Sequence, residues 1–182
     1  MRQERTLWKT CRVIASETRL QLLWHLFTEK ELSVTEVCRL TGGSSSNTSF
    51  QLKLLCECGL VVFRREKMEV LYRSEANSAV KYAPEVLEAL RSCHERGVFF
   101  KTLIRHATAF THERRIEIVR ALRGRSLSAR ALRDSTGMSP SAFCRHLDKL
   151  MRRGYVKNEN HVYRIGGAGN ALGRTLLSLA VR

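Results

Sequence analysis

Prolines are scarce, two in 182 residues, so long disordered or polyproline stretches are excluded as a main organisation. Nothing approaches the ~20 consecutive apolar residues of a membrane helix. The opening MRQERTLWKT lacks the apolar centre of a secretory signal. A cytoplasmic chain with no membrane partner is expected. The six cysteines stand at 11, 38, 56, 58, 93 and 144 and form no CxxC pair of the zinc type, so reduced thiols are expected. HExxH, GxSxG and GxxxxGK[ST] are all missing, which leaves no catalytic residue, metal site or cofactor to name.

Acidic residues are scarce in the second half only. Residues 96–182 hold 18 Lys and Arg against 5 Asp and Glu, a surplus of 13, whereas residues 1–95 hold 14 against 12, a surplus of 2. A net charge of +15 suits a polyanionic partner, because neutralised phosphates release condensed counterions. At 43% hydrophobic content the chain has enough apolar surface for a real core.

Helical spacing begins over 2–14, with Leu7, Cys11 and Ile14 on one side and Arg2, Arg5, Lys9 and Arg12 elsewhere. Ser16 is a candidate cap for a second helix, whose Leu20, Leu23, Trp24 and Phe27 follow the i, i+3, i+4, i+7 pattern. Ser33-Val34-Thr35-Glu36 has the spacing of a capping box and opens a short helix through Leu40. After Gly42 and Gly43 a helix over 44–58 carries Thr48, Leu52 and Leu55 inward. Leu60–Arg64 and Glu69–Arg73 predict a hairpin, and residues 78–95 return to helical spacing through Val80, Val86, Leu87 and Leu90.

The second half repeats this order. Laying Leu32–Val61 over Leu127–Val156 without a gap matches Ser33 with Ser128, Gly42 with Gly137, Ser44 with Ser139, Leu52 with Leu147, Leu55 with Leu150 and Gly59 with Gly154. Upstream, Ser16–Leu20 faces His112–Ile116, and Leu7 falls opposite Leu103. Downstream, Tyr72-Arg73 faces Tyr163-Arg164, and 168–182 supplies a closing helix. Caps, turn glycines and core leucines coincide, the positions that backbone geometry constrains most. Two domains of about 90 residues are expected, 1–95 and 96–182.

The helix over 139–153 opens at Ser139 and Pro140 and stops at Gly154. Phe143, Leu147 and Leu150 pack inward, which leaves Ser141, Arg145, His146 and Lys149 largely outside. Helix, short helix, turn, helix and basic hairpin together make a winged helix-turn-helix, so the expected fold is mainly α with small β-hairpin wings (α+β), in tandem.

The sequence resembles the ArsR-type repressors through Ile14–Arg73 and again through Phe110–Arg164. Ser16-Glu17-Thr18-Arg19-Leu20, Glu31–Val37 and Leu52-Lys53-Leu54-Leu55 running into Gly59-Leu60-Val61 carry the likeness, with Cys144-Arg145-His146-Leu147 in the second copy. The resemblance implies a DNA-binding transcriptional repressor, with double-stranded DNA as partner. It places the DNA contacts at Ser139, Ser141, Arg145 and His146, and at Ser44, Ser46 and Gln51 in the first copy. Metal-sensing relatives carry cysteines where this chain has Ser33 and Thr35, and hydroxyls do not replace thiolates as soft-metal ligands.

Lys149 extends the second face, and Lys157, with Asn160 and His161, offers a short wing. Arg64, Arg65 and Lys67 either reach DNA as a wing or keep a hairpin tip soluble. Phe50 stands where the second copy has Arg145, so the first copy is expected to be the weaker reader. Cys56 and Cys58 lie about 200° apart around a helix and make poor joint ligands. Relatives are usually homodimers, and a chain with two copies can pair them internally as a pseudo-dimer. The alternative is a winged-helix protein-interaction module, which the neutral first half and Phe50 suit.

Overall fold

Side-chain caps set several of the helix starts. In the computed structural model, which describes residues 6–182, Ser33 and Glu36 form the expected capping box: the serine oxygen accepts from Glu36 N at 3.3 Å and the glutamate accepts from Ser33 N at 2.7 Å. Ser44 accepts from Asn47 N, Ser128 from Ala131 N and Asn170 from Gly173 N. Each of these bonds satisfies an N–H that the first helical turn leaves unpaired.

The first half runs α1 Leu7–Ile14, α2 Glu17–Thr28, β1 Leu32–Ser33, α3 Val34–Thr41, α4 Ser45–Glu57, β2 Val62–Glu66, β3 Glu69–Arg73 and α5 Ala83–Glu95. The second half runs α6 Phe100–Ala109, α7 Glu113–Ala121, β4 Leu127–Ser128, α8 Ala129–Thr136, α9 Pro140–Arg153, β5 Val156–Glu159, β6 Val162–Ile165 and α10 Ala171–Val181. The order of helices and strands is therefore the same in both halves, and the fold is mainly helical with small antiparallel hairpins.

Each half closes on a three-stranded sheet, ordered β1-β3-β2 and β4-β6-β5. Leu32 lies opposite Tyr72 in one and Leu127 opposite Tyr163 in the other. The turns between α3 and α4 and between α8 and α9 start at Gly42 and Gly137, both left-handed.

Several boundaries differ from the sequence expectation. Arg2 and Arg5 lie outside the described residues, and α1 is described from Leu7. Helix α5 starts at Ala83 rather than 78, because Pro84 has no N–H to donate and fits only the first turn. The first wing begins at Val62, since Leu60 and Val61 are buried where the chain leaves α4.

The buried side chains form one continuous cluster across both halves, from Leu20, Leu23, Leu52 and Leu55 to Leu103, Phe110, Leu150 and Leu176. Helix α5 packs on α10, and α1 and α2 pack on α6. Tyr155 sits fully inside, its hydroxyl 2.6 Å from His106 Nδ1. Burial raises the tyrosine pKa and lowers that of the histidine, which favours the neutral form of each. No helix among the described residues is long and apolar enough to cross a membrane.

Candidate nucleic-acid interface

Helix α9 buries Phe143, His146, Leu147 and Leu150 on α6 and α7. This corrects one placement: His146 is 5% exposed and belongs to the packed stripe. Arg115 Nη1 lies 3.5 Å from His146 Nδ1, and the His112 ring centre lies 4.4 Å from that of His146. A guanidinium can only donate, so Nδ1 is the acceptor and the ring proton sits on Nε2. Burial first, then His112, Arg115, Arg145 and Arg114, push the His146 pKa down to about 4. His146 is thus a neutral anchor of the helix.

Ser139, Ser141 and Arg145 are exposed along the first turns of α9. Ser139 occupies the cap position without a side-chain cap bond, so its hydroxyl is not used there. Lys149 is half-buried, its pKa lowered by burial and then by Arg153, Arg115 and Arg152. Among the described residues neither Arg145 nor Lys149 has a carboxylate partner. On the wing, Lys157 is exposed, while Glu159 pairs with Arg164.

The corresponding face of the first half is different. Ser44 is spent as the α4 cap, Ser46 is exposed, and Gln51 accepts from Arg19 Nη1 at 2.7 Å while donating to Asn47 at 3.1 Å. Phe50 is 55% exposed and does not tuck into the core. Arg64 is a compensated cation: Glu31 accepts from it through both oxygens at 2.7–3.1 Å, and Glu66 lies 2.7 Å away. Arg73 is shared between Glu31 and Glu75. Only Arg65 and Lys67 of the three expected wing cations are exposed without a carboxylate partner among the described residues.

Arg19 and Arg115, which no motif of the sequence marks as site residues, brace these helices. Arg115 donates to the carbonyls of Ala109 and Thr108 and to the Thr111 hydroxyl. Arg19 donates to the carbonyls of Val13 and Arg12. Their matched places in Ser16–Leu20 and His112–Ile116 were the available signal.

Among the described residues no group of three or more His, Cys, Asp or Glu is placed to hold a metal ion. Cys56, half-buried, has its thiol pushed up to about 11 by burial and then by Glu57, so it stays protonated.

Residues 16–62 match the family described as bacterial regulatory protein, arsR family. That stretch runs from the cap of α2 to the start of β2, and it supports an ArsR-like regulatory helix-turn-helix. The arsR family is a DNA-binding, non-enzymatic one. Residues 105–182 match a different family, the HVO_A0261 N-terminal domain. The expected ArsR likeness is matched in the first half only, and a second ArsR-like copy is not shown, although the element order of the two halves is the same.

Proposed function

We propose that the chain is a sequence-specific DNA-binding transcriptional repressor built from two winged helices, 1–95 and 96–182, that arose as tandem copies. Helices α4 and α9 are the reading helices, and α9 supplies most of the affinity. The observation that carries this reading is the outer face of α9, where Arg145 and Lys149 stand beside exposed serines without a compensating carboxylate among the described residues. Cations left unpaired on a helix of groove-sized dimensions suit phosphate and base-edge contact. The packing of α5 on α10 and of α1 on α6 supports an intramolecular pseudo-dimer. Unequal α4 and α9 faces then favour a non-palindromic site.

Gel shifts with genomic fragments over a range of salt test the reading. A sequence-specific complex that is lost in Arg145→Ala, with the fold retained, supports it. No specific complex at any salt overturns it. A monomeric mass by light scattering for the DNA-binding species supports internal pairing, and a dimeric mass replaces it with a homodimer.

A second reading rests on Phe50 and Phe63, 55% and 58% exposed in a half where one wing cation, Arg64, is already paired with Glu31 and Glu66. In that reading the first winged helix docks a protein, and removing residues 96–182 as a source of charge by multiple Arg→Gln changes leaves partner capture intact.

A further inference from the structure

Helix α1 carries a cation that belongs to neither a wing nor a reading helix. Arg12 is exposed, and its Nε donates to the Thr111 carbonyl at 3.1 Å, on the turn between α6 and α7. Its guanidinium stacks 4.6 Å from the centre of the Trp8 ring. Its own carbonyl accepts from Arg19 Nη2 at 3.2 Å, and Arg19 in turn holds Gln51 on α4. The residue after Thr111 is His112, whose ring contacts His146 on α9. Arg12 therefore marks the seam between the supports of the two reading helices.

Positive charge accumulates at this seam. The His112 pKa is lowered by burial and then by Arg115, Arg12, Arg145 and Arg114. After burial, Arg12 is the next group to lower that of Arg115. Of these arginines, Arg114 pairs with Glu117. Among the described residues Arg12, Arg115 and Arg145 have no carboxylate partner. Like charges held together cost folding free energy, which an arriving anion returns. The Nε bond to Thr111 fixes the fork and leaves both Nη groups to donate.

We infer that Arg12 contacts a DNA phosphodiester at the seam between the two winged helices, where it lies between the supports of α4 and α9. This deepens the proposed DNA reading and rests on it. The cation comes from the first half, so the contact exists only when both halves are folded together.

The test is fluorescence anisotropy of the full chain on a labelled mixed-sequence duplex of about 30 base pairs, long enough for two half-sites, titrated at several salt concentrations. Arg12→Gln is expected to bind roughly 3–10-fold more weakly, with a log–log salt slope smaller by about 0.9. Arg12→Lys keeps the slope, and Lys81→Gln, which removes an equal charge elsewhere, leaves it unchanged. A wild-type slope in Arg12→Gln overturns the inference. So does an equal loss in Lys81→Gln, which makes the effect one of bulk charge, or in Arg12→Lys, which makes it one of the Thr111 bond. Loss of binding in Arg145→Ala beside an intact Arg12→Gln sinks this inference alone; a wild-type chain that binds no duplex sinks the DNA reading with it.

Discussion

Arg19 Nη1 donates to the Gln51 side-chain oxygen at 2.7 Å, tying the second helix of the first half to α4. Arg115 stands in the same relation to His146 in the second half, at 3.5 Å. In both halves the arginine also donates to carbonyls at the end of the preceding helix, Val13 and Arg12 in one case, Ala109 and Thr108 in the other. One side chain thus joins three helices. Substitution by alanine leaves several carbonyls without a donor, so Arg115→Ala is expected to cost about 2–3 kcal/mol. Lysine, a point donor without the planar fork, recovers only part of this. Urea denaturation checks it; an Arg115→Ala chain as stable as wild type sinks the three-helix brace.

The exchange of Arg145 for Phe50 between matched positions makes a second prediction. If α4 faces DNA as α9 does, Phe50→Arg adds a cation at an exposed site and increases the salt slope by about 0.9. Unspecific binding should tighten several-fold. An unaltered slope in anisotropy titrations places Phe50 away from the duplex and favours the docking reading of the first half.

Gly59 is left-handed, at φ +72°, and a Cβ there would stand 2.8 Å from Val80 Cβ and 2.9 Å from Ala83 Cβ. Gly137 is also left-handed, at φ +59°, with nothing within 4 Å. Alanine at Gly137 meets the backbone cost alone, about 1 kcal/mol. At Gly59 overpacking adds to it, for a total of about 3 kcal/mol. Thermal melts of the two variants should rank Gly59→Ala well below Gly137→Ala, and equal midpoints contradict the packing account.

What could be read in advance follows from what each residue has to do. Ser33 and Ser44 cap N–H groups three residues further on, and Gly42 and Gly137 act through their own backbone, so local sequence was enough to place the two turns. Leu52 and Leu147 show the packed stripe because an apolar residue at helical spacing has few other uses. His146 sits three residues after Phe143 on that same stripe, but a histidine does not announce burial, and its acceptor role depends on Arg115 from another helix. Glu31 could not be read as the partner of Arg64, 33 positions away. The two-residue strands β1 and β4 exist only as partners of β3 and β6, so no propensity signals them. The common element order was legible, whereas the outward faces diverge at particular positions, with Phe50 and Gln51 standing where the second half has Arg145 and His146.

Acid should loosen the second winged helix first. The His146 pKa lies at about 4 when folded, against ~6.5 in an unfolded chain. The unfolded chain therefore takes up the proton first, and stability falls as the pH drops from ~6.5 toward 4. Each tenfold difference in proton affinity between the two states is worth about 1.4 kcal/mol, so this residue alone accounts for up to roughly 3 kcal/mol. His106 and His112 are moved in the same direction, by burial first and then by nearby arginines, so they add to the loss. Protonation also turns the His146 Nδ1 acceptor into a donor facing the Arg115 guanidinium, which breaks the brace itself. His146→Gln, which places in α9 the residue type that Arg19 already holds in α4, should flatten the dependence between pH 6.5 and 4 without a large loss at pH 7.5. Denaturation series at those pH values decide it: a variant profile as steep as that of the wild type removes His146 as the source.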